Sequence, residues 1–321
     1  MGMYLYAMGS YVPQKTIDNS YFSEITGLSE DWFLSRTGIQ TRRKASSDEN
    51  THTLAIKAIK NLEYNSKIVP LQDIDLIVGA TYTPYDTIHT LAHHAQRYLN
   101  LYDIPVVSIS TACSSFINAI EIVEGYFATN KAENALVVAS DHNTAYSDET
   151  DKTSGHLWGD GASAVVISKV RPENQPYFQI LDIITGGGGG LGKAVDSVFL
   201  RPIDEGFMMN NGKDVFIHAC EYMASFSKKI LTKNNKTIAD VAWFIPHQAN
   251  LRITQNVAEN LGLPMEKVVS NIQYLGNTGC AGCAIALTEN ALQYKHKDLI
   301  VMSVFGGGYS YGSMLLEYIN P

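Results

Sequence analysis

The chain of 321 residues repeats one order of short apolar segments in its two halves, and this duplication restricts the folds open to it. The matched segments are 73–80 with 240–247, the run ending at Cys113 with the run ending at 277–280, 134–140 with 298–303, and 158–167 with 309–317. Short apolar strands separated by helical stretches are typical of βαβ units. The sequence therefore predicts a duplicated α/β protein with largely parallel sheets. We expect its site between the halves, where strand ends meet.

Cys113 is the candidate nucleophile. It follows a strand-like run at 106–111 that is rich in β-branched residues, and a helical pattern at 116–128 comes after it. Unpaired N–H groups and the dipole of a helix N-terminus stabilise negative charge, so we expect the Cys113 thiolate to be favoured at neutral pH. The alternative for a single cysteine is a buried, unreactive residue, because free cysteine packs as a small hydrophobic side chain.

His247 and Asn277 favour the reactive interpretation. An apolar run at 241–246 ends in a proline directly before His247, and a predicted strand at 268–271 leads through Gly276 to Asn277 and a helix of small residues. A cysteine, a histidine and an asparagine at three strand ends form a constellation suited to acyl transfer.

Further motifs, taken with these residues, resemble the ketoacyl-ACP synthase III family along the whole chain and in the same order. The motifs are 31–39 with Arg42 and Arg43, Ala112 with Cys113, 158–161, 246–252, 276–278 and 305–312. The resemblance implies the thiolase fold, with two duplicated βαβαβαββ halves in a layered αβαβα arrangement. We place the nucleophile-bearing half at 1–172 and the half with His247 and Asn277 at 173–321.

The resemblance also implies the roles of individual residues. Cys113 would become acylated, His247 and Asn277 would assist a decarboxylative Claisen condensation, and the N–H groups of Cys113 and Gly307 would form an oxyanion hole. No cofactor is implied, because CoA or phosphopantetheine thioesters are the substrates. The residues that would contact CoA or the acyl carrier protein are Trp32, Arg36, Phe216, Asn250 and Arg252.

The glycine loop at 306–308 separates the chain from proton-abstracting thiolases. Biosynthetic thiolases have a second cysteine that acts as a base beside such a loop, whereas Phe305 precedes the glycines here. On its own the loop is explained as a tight turn. It suggests a function only because it accompanies Cys113, His247 and Asn277.

Other segments bear on the substrate. The glycine run at 186–190, His156 and Trp158 near the expected channel, and the segment 83–90 differ from enzymes that begin fatty acid synthesis. They are similar to specialised relatives that join two larger acyl or β-ketoacyl groups, such as dialkylresorcinol-forming ketosynthases. For this chain the resemblance implies condensation of an acyl thioester with a malonyl or β-ketoacyl thioester. The alternatives are a housekeeping fatty-acid initiation enzyme, a type III polyketide synthase, and a non-catalytic ketosynthase-like subunit.

The composition of the chain argues against several classes of protein. A net charge of −8 argues against a nucleic-acid-binding protein, for which a basic face is expected. The N-terminus lacks the pattern of a signal peptide, and no apolar run approaches the length of a membrane span, so we expect a cytoplasmic protein without membrane insertion. Four cysteines are too few for a disulfide scaffold. The family resemblance implies a homodimer.

Two motifs with metal-ligand spacing are discounted. Cys280 and Cys283 form a single pair without the second pair that a four-ligand site requires. His89 and His93 have i,i+4 spacing on one predicted helix, next to His94, but the glutamate of the zinc-protease motif is absent. We therefore expect a packing role for the histidines and no metal site.

Overall fold

Apolar runs form the strands of one large central sheet in the computed structural model, which describes residues 2–66 and 71–321. The strands are β1 Tyr4–Tyr11, β2 Lys15–Asp18, β3 Thr41–Lys44, β4 Leu76–Ala80, β5 Val106–Ile109, β6 Asn134–His142, β7 Asp160–Ser168, β8 Tyr177–Gly187, β9 Val198–Arg201, β10 Gly206–Met209, β11 Val241–Pro246, β12 Leu299–Gly306 and β13 Ser310–Ile319. The α-helices are α1 Asn19–Thr26, α2 Glu30–Thr37, α3 Thr51–Asn65, α4 Leu91–Leu99, α5 Ser115–Ala128, α6 Ala194–Ser197, α7 Gly212–Lys233, α8 Leu251–Leu261, α9 Ile272–Leu275 and α10 Gly282–Glu289.

The sheet has nine strands in the order β11-β12-β13-β8-β1-β7-β6-β4-β5. Strand β4 is parallel to β5 and β6, and β11 is parallel to β12, but the remaining ladders are antiparallel. The prediction of largely parallel sheets was therefore wrong, since the sheet is mixed. One cause is the short link at 307–309, which cannot hold the crossover that parallel strands need and so makes β12 and β13 antiparallel.

The duplication is visible in the strand order. Strands of the first half, β1 and β4 to β7, lie on one side, and β8 and β11 to β13 lie on the other, joined where Tyr4 and Leu5 of β1 pair with β8. In the first half the order β1-α3-β4-α4-β5-α5-β6-β7 follows the expected βαβαβαββ pattern. The division of the chain at residue 172 remains a prediction.

The third strand of the second half differs from the expected one. The segment 268–271 makes only an isolated bridge to β11, with the Val269 N–H donating to the Phe244 carbonyl at 2.9 Å. Two residues later, the Asn271 N–H donates to the Gln248 side-chain oxygen at 3.0 Å instead of to a neighbouring strand. Short helix α9 then begins, and the predicted strand is not formed.

Helix α10 fixes the position of the segment that precedes it in the core. Residues from Gly282 to Leu287 are all buried, so this helix is covered on every side. It packs in the same apolar cluster as Phe116 and Ile120 of α5 and the inner faces of the sheet. The segment 277–281, which leads into α10, is thereby held beside the start of α5.

No helix within 2–66 and 71–321 combines the length and the apolar character needed to span a bilayer.

Candidate functional site

The turn between β5 and α5 presents Cys113. Ala112 has a φ of 51°, in the left-handed region, and Cys113 directly precedes Ser114, the N-cap residue of α5. The Ser115 hydroxyl accepts from the Thr111 N–H at 2.8 Å and donates to the Ala112 carbonyl at 2.6 Å, which ties both sides of the turn together. The strained Ala112 is thus held by the first residue of the helix that follows it.

The glycine loop after β12 packs directly against this turn. A Cβ atom added at Gly306 would lie 2.7 Å from the Cys113 backbone nitrogen, so only glycine permits this approach. The backbone N–H groups of Cys113 and Gly307 both act on the Cys113 sulfur and lower the pKa of its thiol. Two backbone donors therefore converge on the Cys113 sulfur.

Burial nevertheless dominates the charge state of the nucleophile. Desolvation, followed by the nearby Asp141 carboxylate, raises the pKa of Cys113 to about 12. The expectation that helix position favours the thiolate at neutral pH was therefore wrong, because the cost of burying the charge exceeds what the donors and the helix end provide. The resting residue is a thiol and needs a partner to accept its proton.

His247 lies at the end of β11, in line with the sequence prediction for its position. Its backbone N–H donates to the Ser303 carbonyl of β12 at 2.8 Å, and its side chain is buried. Burial lowers the pKa of His247 to about 4, so the imidazole is neutral at pH 7 and can accept a proton. Its Nδ1 atom has no hydrogen-bond partner within the part of the chain that the structure describes.

The orientation of the Asn277 amide follows from one hydrogen bond. Its Oδ1 atom accepts from the Gly279 N–H at 3.0 Å, which leaves the amide nitrogen to act as a donor. The Asn277 backbone pairs with the segment before β7, because its N–H donates to the Leu157 carbonyl and its carbonyl accepts from the Gly159 N–H. The backbone of Asn277 is thus held by the segment before β7, and its side chain is held by the turn at Gly279.

Cys113, His247 and Asn277 line one narrow cavity of about 50 Å³. A larger cavity of about 280 Å³ opens on another side of Cys113, with Tyr82, Trp158 and Phe207 among its walls. The two cavities share Cys113, Trp158, Val198 and Gly307. Cys113 therefore lies at the junction of the two cavities, an arrangement suited to a reaction that joins two substrates.

Tyr82 and Asp141 are parts of the site that the sequence analysis missed. The Tyr82 hydroxyl donates to Asn143 Oδ1 at 2.7 Å and also lowers the pKa of the Cys113 thiol. Asp141 is fully buried; its Oδ1 accepts from Thr81 Oγ1 at 2.9 Å and its Oδ2 from the Cys280 N–H at 2.7 Å. Both residues follow or end apolar strands, the same signal that identified His247.

Gly279 completes this network. A Cβ atom there would lie 2.2 Å from Asp141 Oδ2, and the φ of Gly279 is 64°, so a larger residue would displace the carboxylate. Because the Gly279 N–H also holds the Asn277 amide, Asp141 and Asn277 are positioned through the same turn.

The residues expected to contact CoA or a carrier protein form one surface patch. The Arg36 guanidinium lies 4.5 Å from the centre of the Trp32 ring, and the Arg252 guanidinium lies 5.9 Å from the Phe216 ring. Asn250 joins the two pairs, because its side chain donates to the Arg36 carbonyl at 3.2 Å and accepts from the Arg252 N–H at 2.9 Å. The structure thus brings together all five residues, and we name this surface the CoA patch after the ligand expected from the sequence.

This CoA patch lies over the narrow cavity. Val215 and Ala249 line the cavity, and each directly precedes a patch residue, Phe216 or Asn250. The patch and the narrow cavity are therefore adjacent at the start of α7 and at the start of α8.

Among the other residues that the sequence analysis singled out, His156, Cys280 and Cys283 have a packing role. His156 is buried against the rings of Trp32 and Phe33, and its carbonyl accepts from Arg42 Nε at 2.5 Å. Trp158, by contrast, does line both cavities. Cys280 and Cys283 are buried free thiols with sulfur contacts to backbone carbonyls.

Comparison with family models gives two matches. Residues 107–187 match the model described as 3-oxoacyl-[acyl-carrier-protein (ACP)] synthase III, and residues 231–318 match the model of its C-terminal region. The first match includes Cys113, and the second includes His247 and Asn277.

Whole-chain comparisons agree with these matches. The chain is 33% identical to the beta-ketoacyl-[acyl-carrier-protein] synthase III of Staphylococcus haemolyticus over 99% of both chains. It is similar to the crystal structure of 3-oxoacyl-[acyl-carrier-protein] synthase III from Aquifex aeolicus, with a TM-score of 0.91, 33% identity, and coverage of 99% of this chain and 100% of the other. The priming β-ketosynthase of the R1128 polyketide pathway gives a TM-score of 0.88 at 27% identity, covering 99% and 97% of the two chains.

Proposed function

The chain belongs to the 3-oxoacyl-[acyl-carrier-protein] synthase III family and is a condensing acyltransferase of fatty acid or polyketide synthesis, and we propose that Cys113 carries the acyl group in its reaction. The observation that supports this most directly is the position of Cys113 at the junction of two cavities. One cavity suits the acyl group, and the other, with His247 and Asn277, suits the second thioester.

In the first step, the Cys113 sulfur attacks the carbonyl carbon of an acyl thioester. Because burial keeps Cys113 protonated, neutral His247 accepts the thiol proton as the carbon–sulfur bond forms. The carbonyl oxygen gains negative charge and accepts hydrogen bonds from the N–H groups of Cys113 and Gly307. The tetrahedral intermediate expels the donor thiolate, which takes the proton back from His247.

In the second step, a malonyl thioester in the narrow cavity loses CO2. Its enolate oxygen accepts hydrogen bonds from neutral His247 and from the amide nitrogen of Asn277, so no base has to abstract a proton from carbon. The enolate carbon attacks the acyl carbonyl on Cys113, and the carbon–sulfur bond breaks. The Cys113 thiolate then takes a proton from solvent.

The larger cavity indicates the class of acyl group. Its volume of about 280 Å³ is just below the ~300–1,000 Å³ range of ligand pockets, and its walls include Tyr82, Trp158, Phe199, Leu200 and Phe207. Such a space favours a short or medium acyl chain over a long one. Both a fatty-acid primer and a polyketide starter meet that description.

The test of this function is a product assay. Purified protein is incubated with acetyl, medium-chain and long-chain acyl thioesters, each on CoA and on acyl carrier protein, together with malonyl thioesters. We expect CO2 release and a β-ketoacyl product with short or medium donors. No product from any donor would instead support the non-catalytic subunit.

A second arm of this assay tests the dialkylresorcinol-type hypothesis, which remains a prediction. The malonyl thioester is replaced by a β-ketoacyl thioester, and product formation is measured by mass spectrometry. Condensation with the β-ketoacyl thioester but not with malonyl thioesters would identify the specialised type, and the reverse result would identify an initiation enzyme.

The CoA patch provides a prediction for substrate binding. We expect Arg252→Ala to raise the KM for the CoA donor or the carrier protein by about 5- to 20-fold with little change in kcat, because an exposed cation binds phosphate before and during the reaction alike. Steady-state kinetics at low and high salt measure this effect, which should shrink as salt screens the charge.

Arg171→Ala is the matched control for this prediction. Arg171 is also an exposed arginine over an aromatic ring, Tyr177, but it lies in the connection between β7 and β8. An equal rise in KM for both variants would mean that net charge, rather than the patch, determines binding.

We also propose that the protein is a homodimer. Strand β5 is the last strand of the sheet and has an unpaired edge next to the Cys113 turn, and such an edge can pair with a second copy of the chain. Size-exclusion chromatography with light scattering measures the state, and a monomeric mass would contradict the proposal.

A further inference from the structure

Three histidines from separate parts of the chain meet outside the acyl-transfer site. His52 lies in the first turn of α3, His89 in the segment between β4 and α4, and His94 in α4. Each offers one ring nitrogen, and these three nitrogens all lie within 4.8 Å of one another. His89 precedes the helix on which the sequence analysis placed it, and His52, which the sequence analysis did not consider, completes the group.

His52 is the buried member of this histidine cluster. Its relative exposure is 3%, and its Nε2 atom has no hydrogen-bond partner among the residues that the structure describes. The backbone at this position is fixed, because the His52 N–H donates to Asn50 Oδ1 in the cap of α3 at 3.0 Å. A buried ring nitrogen without a partner is costly, and a bound ligand would remove that cost.

The rings are arranged around a common space. The His52 and His94 rings are stacked with their centres 4.9 Å apart, whereas the His89 ring is turned by 76° to 80° relative to both.

We propose that His52, His89 and His94 bind a divalent cation of the zinc class, with water in the fourth position. Imidazole nitrogen is a preferred ligand of Zn²⁺, and three histidines with one open position form an established type of zinc coordination. Zn–N bonds of about 2.0–2.1 Å in a tetrahedron place the nitrogens about 3.3 Å apart, so the rings must close by at most about 1.5 Å. His89 is exposed and lies outside the helices, which allows this movement.

The ion would tie the segment 84–90 to α3. The start of this segment is already attached to α3, because Thr51 Oγ1 donates to the Thr83 carbonyl at 2.5 Å. Farther along, the side chains of Tyr85 and Ile88 are 65% and 87% exposed, and the turn is held locally by Asp86 Oδ1, which accepts from the Ile88 and His89 N–H groups. A second attachment at His89 would fix this segment, which follows Tyr82 of the acyl cavity.

The test uses the full-length protein after chelator treatment and dialysis. Zn²⁺ is titrated by calorimetry, in a Cys113→Ala background as well, to exclude binding at the nucleophile. We expect one equivalent bound by the wild type, and an affinity at least about 100-fold lower for His89→Gln and His94→Gln, more than the ~10–100-fold cost of losing a residue that only orients a ligand.

His93→Gln is the matched control, because His93 is an exposed neighbour in α4 whose Nδ1 bonds to Thr90 Oγ1. Its affinity should stay within about twofold of the wild type. Circular dichroism checks that each variant is folded. Absence of stoichiometric binding by the wild type, or equal binding by His89→Gln, would overturn the site.

Hydrogen exchange tests the attachment separately from binding. Amides in 84–90 should exchange more slowly with Zn²⁺ in the wild type and show no such change in His89→Gln. Stoichiometric binding without slower exchange in this segment would overturn the proposal that the ion ties it to α3.

Discussion

Replacing Cys113 with alanine is expected to abolish the acyl-enzyme and to lower the condensation rate by roughly 10⁴-fold or more. The reaction depends on a covalent intermediate, and Cys113 is the cysteine at the junction of the two cavities. Intact-mass measurement after incubation with an acyl-CoA detects the adduct, and the product assay measures the rate.

Cys220→Ala is the control for this prediction. Cys220 lies in α7, is buried, and has a thiol pKa raised by burial to about 11, so it resembles Cys113 in charge state but lines neither cavity. The adduct should persist in this variant. An adduct that survives Cys113→Ala would place the nucleophile elsewhere.

The raised pKa of the Cys113 thiol also determines its charge state in the free protein. Since burial and Asp141 keep Cys113 protonated, the proposed mechanism makes its reactivity depend on His247 and on the donors around the sulfur. This state differs from that of a cysteine activated by a helix N-terminus alone, which would be ionised without a base.

The sequence was sufficient to predict that Cys113, His247 and Asn277 lie together. Cys113 and His247 follow strands whose apolar patterns are clear, and strand ends on one edge of a sheet lie close together. Asn277 was predicted at a strand end, yet the preceding segment forms only a bridge. Its position is set instead by the buried helix α10 and by pairing with the segment before β7.

Charge states and long-range partners could not be predicted in this way. The pKa of Cys113 depends on how deeply packing buries it and on Asp141, which lies 28 positions away along the chain. His52 joins His89 and His94 only because α3 and α4 pack together, and no motif spacing records that contact. Local pattern identifies strand ends, whereas tertiary packing determines what each side chain faces.

The second large effect is expected for Asn277→Ala, which should separate the two steps. In the proposed mechanism, acylation uses Cys113, His247 and the backbone donors, so the acyl adduct should form at close to the wild-type rate. Condensation should fall by about 10²–10³-fold, the typical cost of removing one donor to a developing oxyanion, or about 2.7–4 kcal/mol. Intact mass follows the first step, and release of CO2 from a malonyl thioester follows the second.

Asn277→Asp distinguishes donation from positioning. The carboxylate keeps the acceptor for the Gly279 N–H, so the turn beside Asp141 retains that bond, but it offers no N–H to the enolate. If donation is the role of Asn277, both variants should lose condensation and keep the adduct. If Asn277→Asp keeps condensation while Asn277→Ala loses it, the side chain acts by holding the turn. Loss of the adduct in both variants would instead assign Asn277 to acylation, and the enolate would then depend on His247 alone.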